Sequence, residues 1–353
     1  MAAADGSTAR TSLSADAIRA LRAEEPKLRA RDFAARHGLS EADLVAAQVG
    51  HGATCIDPHP DRLMPLATGL GDVLALTRNE SCVIERRGTY ERYHGGAHAQ
   101  MVLGPDIDLR IFAKHWVHGY ALEEAGENGP KRSIQVFDAA GDAVHKIHLK
   151  PESDVAGFDR LVAELRLPEQ SDSVATGPRR PTEAAKPDPS KAAILRAEWA
   201  KMTDTHQFLR LVSKLKMNRL GAYRVAGAPF ARQLGTGAVA ATLEQAAAEG
   251  IRLMVFVGNA GCIEIHSGPV EKIVPMGPWI NVMDPRFNLH LRGDHIAEVW
   301  AVDKPTQRGA AVSIEAFDSE GGLILQIFGC RKYGPPEAWN ALVAALPGLE
   351  VAE

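Results

Sequence analysis

Asn79-Glu80-Ser81-Cys82-Val83-Ile84-Glu85-Arg86-Arg87-Gly88 and Asn259-Ala260-Gly261-Cys262-Ile263-Glu264-Ile265-His266-Ser267-Gly268 share their asparagine, cysteine and glycine at an offset of 180 residues. The same offset, without a gap, pairs Glu91 with Glu271, Pro105 with Pro285, Leu109 with Leu289 and Ser133-Ile134 with Ser313-Ile314. It continues through Phe137-Asp138 and Phe317-Asp318, Gly141 and Gly321, and Ile147 and Ile327. One register held over this distance marks an internal duplication. Shared prolines, glycines and apolar residues serve turns and cores, so function is sought where the copies differ. Two differences stand out. Arg110, in Asp108-Leu109-Arg110-Ile111-Phe112, has His290 as its counterpart, and Thr203-Asp204-Thr205-His206 has no histidine equivalent in the first copy.

Working outward, each copy reads as helices followed by strands. Residues 14–50 carry two helical patterns, with Gly38-Leu39-Ser40-Glu41-Ala42-Asp43-Leu44 as a helix stop and a capped restart. Residues 63–76 are mostly apolar and read as a further short helix. Between Leu76 and His148, the runs SCVIERR, AQMVLG, DLRIF, RSIQVFD and AVHKIHL alternate with Gly- and Pro-containing turns. Their connections are too short for crossover helices, which predicts an antiparallel meander. A helix covers Val155–Leu165. The second copy repeats this order, with helices over 194–202, 206–217, 218–226 and 237–249, strands from Leu253 to Phe328, and a last helix over Pro336–Leu346. The expected fold is α+β, a tandem duplication with helices preceding an antiparallel meander sheet. Its segments are a disordered stretch 1–14, repeats over 15–167 and 192–353, and a Pro-rich extended linker at 168–191 that lacks the apolar residues to build a core.

The 353 residues suffice for two domains. A net charge of −4 and the absence of basic runs argue against nucleic acid as a partner. No apolar run reaches the ~20 residues of a spanning helix, and the N-terminus lacks a signal-peptide core, so a cytoplasmic protein is expected. Cys55, Cys82, Cys262 and Cys330 are scattered without a C-x-x-C and read as buried thiols.

His206 opens an amphipathic helix in which Phe208, Leu211, Val212 and Leu215 share one face. Thr203, Asp204 or Thr205 can cap its first turn. A helix start favours the neutral imidazole, the form that ligates a metal, although a histidine so placed is more commonly a solvated or capping residue. His94, His98, His115, His118, His145 and His148 fall on different strands and turns and read as surface residues. Gly50-His51-Gly52-Ala53 reads as a loop. Gly69-Leu70-Gly71 lacks the spacing of a dinucleotide fold.

The segments TDTHQFLRLVSKLKMNR, MVFVGNAGCIEIHSGPVEKIVPMGPWINVMDPRFNLHL, IAEVWAVDKPT and DLRIFAKHW closely resemble the cytoplasmic haemin-degrading factor and haem-transport family of the HemS, ChuS and HmuS type. The resemblance runs from about Ala17 to the C-terminal helix, outside the linker. It implies two repeats whose sheets stack centrally, with one haem in a cleft between the halves. It implies His206 as the iron ligand, with Arg110 reaching the haem from the opposite face. Phe112, Met254 and Phe256 would pack on the porphyrin, and Arg219, Lys304, Gln326 and Arg331 would meet the propionates or the periphery. His206 and Arg110 would be the residues closest to any chemistry, with haem as ligand or substrate. The expected function is haem-iron acquisition with haem degradation, using dioxygen and an external electron donor, since no flavin or nucleotide site is evident. The alternative is a non-enzymatic carrier that buffers haem and passes it to a separate haem oxygenase. In a third class, the duplicated module is a scaffold for a protein or another small ligand. An inner-membrane haem importer is the expected source of haem, and the chain is expected as monomer or dimer, not membrane-embedded.

Overall fold

The computed structural model describes residues 13–127, 129–331 and 336–349. Residues 1–12 of the expected disordered N-terminus lie outside the described residues. In the first copy the helices are α1 (Ala15–Glu24), α2 (Ala30–His37), α3 (Glu41–Ala46), α4 (Pro60–Ala67) and α5 (Val155–Leu165). The first copy's strands are β1 (Ala53–Ile56), β2 (Val73–Arg78), β3 (Cys82–Gly88), β4 (Tyr93–His94), β5 (Gln100–Leu103), β6 (Asp108–Ile111), β7 (His118–Glu124), β8 (Lys131–Phe137) and β9 (Ala143–Leu149). The second copy repeats the series with α6 (Ala192–Ala200), α7 (Gln207–Lys214), α8 (Arg219–Ala226), α9 (Ala238–Glu249) and α10 (Glu337–Ala345). Its strands are β10 (Ala231–Leu234), β11 (Leu253–Gly258), β12 (Cys262–Gly268), β13 (Ile273–Met276), β14 (Trp279–Asp284), β15 (Phe287–Arg292), β16 (Glu298–Lys304), β17 (Ala311–Phe317) and β18 (Leu323–Gly329).

Local chemistry accounts for several boundaries. Gly38 ends α2 at φ 65°, a left-handed conformation that costs glycine little. Ser40 restarts the chain with a reciprocal cap: Asp43 N donates to Ser40 Oγ, and Ser40 N donates to Asp43 Oδ2 at 2.7 Å. Residues 14–50 hold three helices, not two patterns, because the turn around Pro26 separates α1 from α2. The apolar run 63–76 divides as well. Gly71, at φ 70°, breaks it after α4, and Val73–Arg78 then alternates buried and half-buried residues as a strand.

The antiparallel expectation holds, but each copy shares its strands between two sheets. One nine-stranded sheet has the order β1-β7-β8-β9-β2-β3-β15-β14-β13, and the other β10-β16-β17-β18-β11-β12-β6-β5-β4. Each therefore takes six strands from one copy and three from the other. The joins pair β3 with β15 and β12 with β6. The duplicated asparagines lock the sheets together. Asn79 Nδ2 donates to Gly258 O and Ile324 O in the opposite sheet, while Asn259 Nδ2 donates to Arg78 O and Val144 O, all at 2.8–3.1 Å. The exchange makes each copy incomplete without its twin.

The inter-sheet core differs between copies. In one half Thr77, Tyr90, His145 and Glu264 are buried together. At the 180-residue offset their counterparts Val257, Val270, Leu325 and Ile84 are apolar and equally buried. His145 is thus a core residue and not the surface histidine its sequence context suggested. The segment 168–191 lies extended over the surface, ending in a short 3-10 turn at Pro189–Lys191. Gln170 bonds the Cys55 backbone, Arg179 pairs with Asp142, and the Lys186 N–H donates to Asn218 Oδ1.

Candidate functional site

One face of the second sheet is left half open. Phe256 on β11 lies opposite Gln326 on β18 and Ile265 on β12, Ile265 lies opposite Asp108 on β6, and Ile263 lies opposite Arg110. Residues directly opposite share a face, and so do residues two apart on one strand. Met254, Phe256, Gln326, Phe328, Ile263, Asp108 and Arg110 therefore form one surface about 15 Å across its four strands. All of these are half-buried, whereas the alternate residues Val255, Val257, Leu109 and Ile327 are fully buried. Phe256 and Phe328 meet edge to face at 5.3 Å. Phe328 belongs to this surface and was missed from sequence, although its period-two relation to Gln326 carried the signal. Phe112 follows the end of β6 and, by the same alternation, continues the face of Arg110. The Arg110 guanidinium donates to Asp108 and to Leu109 O.

Helices α6, α7 and α8 cover the end of this face nearest β16 and β17. Trp199, Phe208, Val212, Leu220 and Tyr223 pack there with Trp300, Val302 and Phe317. The start of α7 is tied to the loop after β16, where Gln307 N donates to Thr203 O. His206 itself is the residue flanking α7, with φ −68° and ψ −18°, and it caps nothing with its side chain. Of Thr203, Asp204 and Thr205, it is Asp204 that caps the first turn, by accepting the His206 backbone N–H, and the same oxygen lies 2.7 Å from Nδ1. These contacts, the backbone bond first, hold the Asp204 carboxyl below its ordinary range. A proton on Nδ1 directed at Asp204 leaves the Nε2 lone pair outward, on a side chain 93% exposed. The carboxylate, more than the helix start, orients this imidazole.

Lys304, Arg219 and Glu315 form a buried charge cluster on the same side of the sheet, under the helical cover, where Glu315 lies opposite Gln326. Glu315 Oε1 accepts from Lys304 Nζ at 2.7 Å and Ser313 Oγ at 2.9 Å. Glu315 Oε2 accepts from Arg219 Nη1 and Tyr223 Oη, both at 2.8 Å. Burial opposes ionisation of Glu315, but Lys304 and then Arg219 outweigh it and hold the carboxyl well below its usual range. Lys304 is fully enclosed, also lying 5.0 Å from the Phe208 ring centroid, while Arg219 retains a partly exposed edge. Arg331 stands apart from this cluster. Its guanidinium donates to the carbonyls of Arg308, Gly309 and Ala310 and clamps the loop that also tethers Thr203. The structure thus gathers Arg110, Phe112, Met254, Phe256 and Gln326 on one face. Arg219 and Lys304 lie beneath its helical cover, and His206 and Arg331 lie at opposite attachments of one loop.

Among the described residues no three His, Cys, Asp or Glu side chains converge as a metal site, and no helix is long and apolar enough to cross a membrane. A protein-family model for the haemin-degrading HemS/ChuX domain matches residues 38–165 and again 216–346. The hemin transport protein HmuS of Yersinia pestis is 36% identical over 334 residues, 94% of this chain and 96% of that protein. The crystal structure of holo-PhuS, a heme-binding protein from Pseudomonas aeruginosa, superposes with a TM-score of 0.90 at 45% identity, covering 95% of this chain and 98% of that one. ChuS, described as an E. coli heme oxygenase, gives a TM-score of 0.82 at 34% identity over 92% of this chain and 98% of that one.

Proposed function

The chain belongs to the family of the haemin-degrading HemS/ChuX domain, and on that premise we propose that it binds haem on the half-open face of its second sheet, with His206 as the iron ligand. The observation that carries this reading is the His206 imidazole. Asp204 orients it through Nδ1, Nε2 is left exposed, and the helix it precedes packs over one end of the sheet whose half-open face carries Arg110 from the other copy. A neutral imidazole so oriented is a good iron donor. Covering Met254, Phe256, Phe112 and Phe328 with a porphyrin removes apolar surface from water, worth roughly 25 cal/mol per Å2. Gln326 and the exposed edge of Arg219 serve the periphery and the propionates, and Arg331 shapes the rim by holding the loop after β16. Lys304 acts from beneath the helical cover, fixing Glu315 and through it Arg219.

When bound, haem supplies the redox chemistry. Arg110 offers a fixed cationic donor to negative charge on the side away from His206. The reaction so served is haem degradation with release of iron, in the cytoplasm, using dioxygen and electrons from an external donor. Exposure of His206 also favours a second reading, a carrier that accepts haem from an importer and yields it to a haem oxygenase, because an exposed ligand is open to exchange. The relatives support both, one being described as a transport protein and another as a heme oxygenase.

Loading the protein with haem anaerobically, then adding dioxygen and a reductant with catalase present, separates the two. Degradation predicts loss of haem absorbance with a defined tetrapyrrole product and free iron. A carrier predicts intact haem that moves to an added haem oxygenase, and loss abolished by catalase would refute enzymatic degradation. Arg110→Ala is expected to leave haem retention within about threefold, while azide or cyanide affinity falls about tenfold or more, the scale of one lost charged hydrogen bond. The reverse pattern, in a spectroscopic titration, would remove Arg110 from the distal role.

A further inference from the structure

The duplication supplies the first sheet with a matching face, and it too is left half open. A cavity of about 580 Å3 lies over it, bounded by Leu76 and Val83 from the first copy and Trp279, Met276 and Met283 from the second. At the 180-residue offset Leu76 and Val83 are the counterparts of Phe256 and Ile263, and His290 is the counterpart of Arg110. The helical layer corresponds as well. Helices α2 and α7 have the same length and place in their copies, and the residue flanking the start of α2 is Arg29, where α7 has His206. Arg29 and His290 both line the cavity. The two faces therefore carry the same pair of side chains with the positions exchanged. One has histidine on the helix and arginine on the sheet, and the other has arginine on the helix and histidine on the sheet.

The His290 ring is built to ligate. Its Nδ1 lies 2.7 Å from Asn281 Oδ1, and Asn281 Nδ2 donates to Val274 O at 2.9 Å, which fixes the amide with its oxygen towards the ring. The proton is thereby placed on Nδ1 and the lone pair on Nε2, as at His206. The cavity wall includes the Trp279 indole, with the Arg29 and Arg292 guanidinium carbons 5.8 Å and 5.3 Å from its ring centroid. Met276 and Met283 leave apolar surface exposed beside it. Arg78 and Lys146 add cations to the lining, both paired with Glu41, and Glu85 sets one carboxylate against them.

We propose that this cavity is a second site for a metalloporphyrin-class ligand, a planar apolar ring with a ferric centre and peripheral carboxylates, whose iron is taken by His290 Nε2. The proposal rests on haem being the ligand of the first face. Trp279, Met276 and Met283 pack on the ring, and Arg29 and Arg78 face the carboxylates. With leucine at 76 where the first face carries Phe256, the second face binds more weakly than the first and fills after it.

The test is titration of the full chain with hemin, comparing wild type, His206→Ala, His290→Ala and the doubly substituted protein. Two equivalents are expected for wild type. His290→Ala should stop at one with the first equivalent's spectrum unchanged, His206→Ala should retain one, and the double variant should retain none. His290→Gln, which keeps a polar group against Asn281, should behave as His290→Ala and guards against misfolding. Hydrogen exchange of residues 276–292 should slow at least tenfold with the second equivalent and not with the first. Saturation at one equivalent that requires His206 and ignores His290 would overturn this proposal and leave the first site standing. A second equivalent that survives loss of His290, without protection at 276–292, would overturn it as surface stacking, and uptake of no haem would overturn both sites.

Discussion

Glu315→Gln is expected to lower the stability of the folded chain by about 3–5 kcal/mol, the cost of removing one partner from a buried ion cluster. The carboxylate is fully enclosed, and its two oxygens accept from Lys304, Ser313, Arg219 and Tyr223. An amide of the same shape keeps a carbonyl acceptor but leaves the Lys304 ammonium without a counter-charge in a site it cannot leave. It also places N–H donors against donors. A chemical-denaturation midpoint with an unchanged slope measures the effect. A loss under about 1 kcal/mol would mean that the cluster is hydrated and that Lys304 does not depend on Glu315. The same substitution frees Arg219, so any change in haem affinity should accompany the loss of stability.

The second large effect has the opposite sign. Glu264 is fully buried beside His145, and neither of its carboxylate oxygens has a hydrogen-bond partner. Burial pushes its carboxyl up to about 8 and His145 down to about 3, so at neutral pH both are uncharged. The His145 ring nitrogens lie 2.9 Å from Thr77 Oγ1 and 2.7 Å from Tyr90 Oη. For Glu264 the folded state binds a proton that the unfolded state has released once pH exceeds about 4.5, so stability falls as pH rises from there to about 8. Glu264→Ile installs the residue that the other copy carries at Ile84. It is expected to stabilise the chain on the order of 3 kcal/mol at pH 7, with little added effect near pH 4. Denaturation midpoints from pH 4 to pH 8 would show the two proteins diverging. A constant difference across that range would mean that Glu264 does not change its proton occupancy on folding.

The duplication and the paired strands were legible in sequence because a gapless offset and period-two alternation are local signals. The asymmetry of His206 and Arg110 was legible for the same reason. The exchange of three strands between sheets was not, since nothing in residues 79–112 distinguishes pairing within a copy from pairing with its twin. Asn79 and Asn259 were visible as a match, but their role in joining the sheets required the opposing carbonyls. Glu264 carried a readable warning, a charged residue on the same alternation as Cys262 and between two isoleucines. Arg219 lies far from Glu315 in sequence, and only the packing of α8 on β17 brings them together. The Asp204 contact with His206 was within two residues yet ambiguous, because the same aspartate is equally suited to capping a helix.

The most direct test of the haem reading is the spectrum of the first hemin equivalent bound to wild type and to His206→Ala. The wild-type chain should give a saturable Soret change with the signature of histidine-ligated iron. His206→Ala should weaken that equivalent by at least tenfold or shift its spectrum to that of another ligand. An affinity and a spectrum both unchanged in His206→Ala would show that another residue holds the iron and would contradict the site assigned to this face.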